Sequence, residues 1–167
     1  MKKEITIRFA NIADLPFIVD IYNQAIRSGI STGHTKEFSV DERIDWFNKF
    51  SADKYPIYVA IKENKVIGYA TLSPFREGRK AMQKIAEISF FVDSSFQNSG
   101  VGSALMEAAI SDCERFGKET LLAFLLDINP HSISLLKKFS FEEWGRLPGA
   151  IDFGNNICDH LTYGRKL

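Results

Sequence analysis

The sequence predicts an α/β domain in which a mixed sheet carries helices on both faces. Three observations lead there. Short β-rich runs bounded by turn residues alternate with stretches whose apolar residues recur every three or four positions. Their order is strand, two helices, three strands, helix, strand, helix, two strands, an interleaving that suits a layered sheet rather than a sandwich of strands alone. The 167 residues, 45% of them hydrophobic, suffice for one core, and no repeat, low-complexity segment or linker divides positions 1–167.

The elements follow in order. "ITIRFA" alternates and reads as a strand; in "NIADLPFIVDIYNQAIRS", Leu15, Ile18, Val19, Tyr22 and Ile26 share one helical face. A second helix is expected over "SVDERIDWFNKF", because Ser39 and Glu42 stand in the capping-box arrangement that satisfies free donors of a first turn. Two β-rich runs around Glu63-Asn64-Lys65 form a hairpin, and "IAEISFFVD" is the next strand. Helix 101–116 stops at Gly117, "TLLAFLLD" is a buried strand, and "PHSISLLKKF" is a short helix with Pro130 in its first turn. The remaining segment to Leu167 supplies two strands.

Charge narrows the partners. Twenty-one basic residues balance twenty-one acidic ones without a run of like charge, so neither a nucleic-acid groove nor a membrane-surface patch is expected. The amino terminus has two lysines but no long apolar run, no window approaches the ~20 apolar residues of a membrane span, and the expected location is the cytoplasm. Cys113 and Cys158 lack metal-ligand spacing and read as reduced packing residues; Cys158 with His160 makes no zinc site, and no metal is expected.

The most informative stretch is "FQNSGVGSALMEA", where a strand ends and a helix begins at Gln97-Asn98-Ser99-Gly100-Val101-Gly102-Ser103. The first amides of a helix have no intrahelical acceptor, glycines allow close approach, and the helix dipole favours an anion, so the turn suits a phosphate or diphosphate. It lacks the Gly-Lys-Ser/Thr of a Walker loop and the third glycine of the dinucleotide fingerprint. Tight packing of the helix is the competing reading of Gly100 and Gly102.

"AEISFFVDSSFQNSGVGSALMEAAI" resembles the acetyl-CoA-binding core of the GNAT N-acetyltransferases, whose Gln/Arg-x-x-Gly-x-Gly/Ala signature is matched by Gln97, Gly100 and Gly102. "NPHSISLLKKFSF" is similar to a second segment of that superfamily, with Asn129, Ser132 and Phe141 in matching positions. "IYNQAI", "YPIYVA", "IGYATLSPFREGR", "AEISFFV" and "EEWGRLPG" resemble the phosphinothricin and methionine sulfoximine acetyltransferase branch over nearly the whole chain. The resemblance implies a mostly antiparallel GNAT sheet and transfer of acetyl from acetyl-CoA to the primary amine of a small amino-acid-like substrate such as phosphinothricin, methionine sulfoximine or methionine sulfone. It also implies a homodimer.

The same resemblance assigns residues. Backbone amides of Asn98, Ser99, Gly100, Val101, Gly102 and Ser103, after Gln97, would cradle the diphosphate; the edge of Phe90, Phe91 and Val92 would pair with the pantetheine arm; Asn129 and Ser132 would contact the cofactor. An amine at neutral pH must lose a proton before it attacks a thioester, and Glu87, matching the glutamate of the family's "AE" motif, is the expected general base, acting directly or through a water. A substrate carboxylate calls for a guanidinium, and Arg76 and Arg79 are the candidates. Phe38 and Tyr22 read as core before pocket wall, and His34 and His131 carry no role.

Three positions depart from the pattern. Leu136 stands where many GNAT enzymes have a tyrosine thought to protonate the departing thiolate, Ser140 where glycine is usual, and Met82 where near relatives often have tyrosine. A non-catalytic acyl-CoA-binding sensor, or a protein N-acetyltransferase, is the alternative function.

Overall fold

The computed structural model describes residues 4–167; Met1, Lys2 and Lys3, with the two lysines of the amino-terminal reading, lie outside the described residues. The elements are β1 (Thr6–Phe9), α1 (Leu15–Ser28), α2 (Ile44–Phe47), β2 (Ile57–Lys62), β3 (Lys65–Pro74), β4 (Ile85–Val92), α3 (Val101–Asp112), β5 (Thr120–Leu126), α4 (Pro130–Lys138), β6 (Glu142–Asp152) and β7 (Ile157–Lys166). They form a 7-stranded sheet in the order β1-β2-β3-β4-β5-β7-β6, antiparallel throughout except for the β4–β5 pair.

Each face carries its own apolar cluster. Val101, Leu105, Met106 and Ala109 of α3 and Leu136 of α4 pack with Tyr58, Ala70, Leu72, Ile88, Leu121 and Leu161 on one face. On the other, Ile18, Ile21, Tyr22 and Ile26 of α1 meet Ile57, Val59 and Tyr69, with Trp46 and Phe47 of α2 against them. All five periodic positions of α1 are buried, as the helical spacing requires.

Local chemistry sets the turns. The β2–β3 connection is two residues, Glu63 (φ 51°) and Asn64 (φ 62°), between the paired Lys62 and Lys65. Positive φ at both positions gives the turn whose twist matches that of the strands. Ser39 and Glu42 form the expected capping box, with Ser39 N–H donating to Glu42 Oε2 at 2.8 Å and Glu42 N–H to Ser39 Oγ at 3.3 Å. The helix they open is shorter than "SVDERIDWFNKF" suggested: a 3-10 turn over Asp41–Arg43 and then the four residues of α2. So short a helix is held by packing of Trp46 and Phe47, not by its own hydrogen bonds.

Regular α3 ends at Asp112 rather than at residue 116, yet Gly117 does terminate it. Lys118 N–H donates to Cys113 O at 2.8 Å and Gly117 N–H to Glu114 O at 2.9 Å, with Gly117 at φ 65°. These are the two bonds of a Schellman closure, which needs a residue tolerant of positive φ.

The chain's entry into α1 rests on Asp14, 5% exposed, which accepts two bonds from the Arg8 guanidinium at 2.7 and 2.9 Å and one from Asn11 N–H at 2.8 Å. Burial works to raise this carboxyl, but the Arg8 fork and the Asn11 amide outweigh it and hold it below the usual range. Asp14→Ala is expected to cost about 2 kcal/mol at pH 7, since it strands a part-buried guanidinium and an amide. A depressed folded-state pKa stabilises above the unfolded pKa and is lost as pH falls through the folded one. The gap in Tm between wild type and variant should therefore narrow in thermal melts as pH falls below the ordinary aspartate pKa of ~3.9.

The sheet opens where the parallel pair stops. β4 and β5 are in register only at Ile85–Thr120, Ala86–Leu121 and Glu87–Leu122. Beyond that point β4 stays with β3 as far as Val92, and β5 stays with β7 as far as Leu126, so each arm is held on its outer side while the inner edges part.

Candidate active site

The fork opens a cleft of about 730 Å³, within the range of small-molecule sites. Phe90, Phe91 and Val92 line its β4 side, and their inner edge pairs with no strand. Backbone donors and acceptors there are left for a ligand, as along any open sheet edge.

At the mouth of the cleft, α3 begins without a side-chain cap, at Gly100 with φ 90°. The first intrahelical bond is Ala104 N–H to Gly100 O at 3.0 Å, so the amides of Val101, Gly102 and Ser103 have no acceptor. Three unpaired donors at the positive end of a helix suit an anion. Asn98, at φ 58°, and Gly100 turn the chain into α3, whose Gly102 and Ser103 line the cleft.

The glycines separate into two kinds. Gly100 is required by its backbone, while a Cβ at Gly102 would sit 2.9 Å from Leu135 Cδ2, so Gly102 lets α3 approach α4. Packing thus accounts for Gly102, and backbone conformation for Gly100.

Of the residues singled out in the sequence, Phe90, Phe91, Val92, Gln97, Asn98, Gly100, Gly102, Ser103, Asn129 and Ser132 all line this one cleft. The Val101 side chain is buried beneath α3 and contributes only its amide. Ser99 turns its hydroxyl onto Phe96 O. Asn129, 7% exposed, first serves α4: its Oδ1 accepts from Ser132 N–H at 3.2 Å, leaving its amide NH2 toward the cleft lining.

Glu87 stands at the apex of the fork, the last β4 residue paired with β5. Its carboxyl has no hydrogen-bond partner among the described residues, and burial raises its pKa above the ordinary value. Alternation along β4 puts Ser89 and Phe91 on the same face, and the register adds Ser73 and Leu122 as its cross-strand neighbours. Arg76 and Arg79 lie in the loop that leaves β3 just after Ser73; both are exposed, and the Arg76 guanidinium lies 5.7 Å from the Phe75 ring centroid. Phe75 stacks on Phe124, which stacks on His160, forming an aromatic shelf on the Glu87 face.

Tyr22 and Phe38 pack into the α1 cluster, in line with the core reading. Tyr22 also bonds Thr32 Oγ1 at 2.8 Å and His34 Nδ1, so His34, isolated in the sequence, has a partner in space. Sequence reasoning missed three residues. Lys138 reaches from α4 to Ser103 Oγ at 2.8 Å, placing a cation beside the first turn of α3. Gln24 of α1 accepts from Ser94 N–H at 2.8 Å and ties the helix to the turn, and His131 lines the cleft. The Lys138 contact spans thirty-five positions and the Gln24 contact seventy, so no local pattern announces either.

Leu136, at the position where a thiolate-protonating tyrosine was considered, is wholly buried in the core. Among the described residues no group of three His, Cys, Asp or Glu side chains gathers as a metal site, and no helix is long and apolar enough to cross a membrane.

The sequence and the fold agree with known proteins. A family model described as "Acetyltransferase (GNAT) family" matches residues 18–141. The chain is 34% identical over 164 residues to "Putative phosphinothricin acetyltransferase YwnH" of Bacillus subtilis, covering 98% of this chain and 99% of that one. It is 33% identical over 146 residues to the "L-methionine sulfoximine/L-methionine sulfone acetyltransferase" of Pseudomonas aeruginosa, covering 86% and 83%. A solved GNAT superfamily phosphinothricin acetyltransferase from Sinorhizobium meliloti, in complex with AcCoA, superposes with a TM-score of 0.91 at 29% identity, over 98% of this chain and 88% of that one. With its fork, its uncapped helix and these likenesses together, the chain belongs to the GNAT family of acetyltransferases.

Proposed function

We propose that the protein transfers acetyl from acetyl-CoA to the α-amine of a small amino-acid-like acceptor of the phosphinothricin or methionine sulfoximine kind. The observation that carries this reading is the fork itself. One continuous cleft joins three unpaired amides to a free strand edge, and that edge leads along β4 to a part-buried carboxylate with no partner.

Acetyl-CoA supplies an activated acyl group as a thioester. Amides of Val101, Gly102 and Ser103, with Lys138 beside them, hold the diphosphate; the Phe90–Val92 edge aligns the pantetheine arm; Asn129 and Ser132 border it. Glu87 takes a proton from the acceptor ammonium, directly or through a water, and the free amine then attacks the thioester carbonyl. The N–C bond forms, the C–S bond breaks, and the second proton shed by the attacking nitrogen passes to the departing thiolate, directly or through solvent. A thiol of pKa near ~8.5 leaves readily, so Leu136 in place of an acid is tolerable. Arg76 takes the acceptor carboxylate, Arg79 being the second candidate. A homodimer, a single domain and a cytoplasmic location complete the proposal; exposed Trp144, Leu147 and Ile157 on β6 and β7 offer apolar surface to a partner copy.

Thiol release from acetyl-CoA, followed across an amino-acid and analogue panel, tests the function. Cys113 and Cys158 are both buried, so the protein adds little background. Acceptor-dependent release supports the enzyme; tight CoA binding without turnover on any amine supports the sensor instead.

A further inference from the structure

The arginines of the described chain sort into two groups. Arg8, Arg27, Arg115 and Arg146 each meet a carboxylate, and Arg165 donates to Phe139 O at 2.7 Å. The guanidinium groups of Arg43, Arg76 and Arg79 have neither an ion pair nor a hydrogen bond within the described residues, and Arg76 and Arg79 lie in the loop that follows β3.

Arg43 lies in the 3-10 turn before α2, and unlike its exposed neighbours Asp41 and Glu42 it is half-buried. Its guanidinium carbon lies 4.0 Å from the Trp46 ring centroid, 5.0 Å from that of Phe38 and 5.3 Å from that of Tyr22. Ring faces answer its charge but accept none of its five N–H donors, and charged donors left unmade are costly. No unpaired side-chain nitrogen or oxygen is sealed from solvent among the described residues, so the guanidinium borders open space.

A second unsatisfied donor lies beside it. Tyr69 of β3, 1% exposed, stacks on Phe91 with ring centroids 5.4 Å apart, and its hydroxyl has no hydrogen-bond partner. Arg43 and Tyr69 act on each other electrostatically, and Trp46 meets the Tyr69 ring edge-on.

Register connects this pair to the fork. Tyr69, Thr71 and Ser73 of β3 face the same way as Phe91, Ser89 and Glu87 of β4, each opposite its partner. The Thr71, Ser73 and Ser89 hydroxyls make no hydrogen bond among the described residues, so a polar stripe runs from Tyr69 to Glu87. Four residues of strand span about 13 Å. An acceptor whose amine and side-chain acid lie about 6 Å apart, with a hydrogen bond of about 2.9 Å at each end, fills about 12 Å.

We propose that Arg43 and the Tyr69 hydroxyl form an anion-holding subsite at the far end of the acceptor groove, selecting amino acids that carry a second anionic group on the side chain. The proposal rests on the acetyltransferase reading above: Arg76 holds the α-carboxylate near Glu87, and Arg43 holds the distal acid. Arg43 is a positioning residue; it touches substrate but moves no proton.

The test compares L-phosphinothricin, whose side chain ends in an anionic phosphinate, with L-methionine sulfone, whose side chain is neutral. In Arg43→Gln the KM for phosphinothricin should rise about 10- to 100-fold, while kcat and the KM values for methionine sulfone and acetyl-CoA change less than about twofold. Tyr69→Phe should move the same KM about fivefold, and Arg43→Lys, which keeps the charge without the fork, should fall between. Binding is read separately from Trp46 fluorescence in a Trp144→Phe background, titrating phosphinothricin with CoA present; the signal should saturate with Arg43 and weaken in Arg43→Gln. Equal KM changes for both acceptors, or none for either, would overturn the subsite. If wild type turns over no amine, the acetyltransferase reading fails, and the fluorescence titration still decides whether Arg43 binds the anion.

Discussion

Glu87→Gln is expected to lower kcat about 10²- to 10⁴-fold while acetyl-CoA still binds, because the variant keeps the shape of the fork and loses the group proposed to accept the ammonium proton. Two further readouts separate a base from a merely polar strand residue. Burial raises the Glu87 pKa, so the acid limb of wild-type kcat/KM should lie above the ordinary glutamate range and vanish from the residual activity of the variant. A raised folded-state pKa contributes stability below the unfolded pKa and loses it as pH rises through the folded one. At pH 7 the buried charge therefore costs stability, and Glu87→Gln should melt above wild type. A variant that is slower and less stable at pH 7 would contradict this account of the carboxylate.

Gly100→Val should strike cofactor binding with comparable force. Space is not the obstacle, since a Cβ at Gly100 meets nothing within 4 Å. Conformation is: φ 90° is a region that β-branched residues avoid at a cost of order 1–3 kcal/mol. Relief of that strain by rotation of the peptide ahead of α3 would turn the Val101, Gly102 and Ser103 amides off the diphosphate they are proposed to hold. Calorimetry should show acetyl-CoA affinity falling about 10- to 100-fold. Gly100→Asn should retain most of it, because asparagine tolerates positive φ. Equal losses in both variants would mean that side-chain bulk, not backbone geometry, governs the turn.

What the sequence disclosed, and what it hid, divides along the range of the interactions. The α1 periodicity, the Ser39–Glu42 box and the Gly117 closure are local, and each was legible because one or two turns of chain contain the whole cause. The free amides of α3 were legible for the same reason. The fork was not: where β4 and β5 cease to pair depends on residues thirty-five positions apart and on β3 and β7 holding each arm. Glu87 could be named as a base through family resemblance, but its burial and its place at the apex belong to the assembled sheet.

The same limit explains the missed groups. Lys138 joins Ser103 across the α3–α4 contact, and Arg43, one charge in an exposed-looking "DERIDW", enters an aromatic box built by α1, α2 and the loop between them. The shortness of α2 escaped notice because its capping box signals a start and says nothing of length.

Diffraction from crystals soaked in millimolar coenzyme A offers the most direct measurement. Diphosphate oxygens should lie within about 3 Å of the Val101, Gly102 and Ser103 nitrogens, with the pantetheine arm along Phe90–Val92 and the sulfur toward Glu87. A diphosphate bound away from the start of α3, or a cleft with no ligand density at that concentration, would contradict the account at its root.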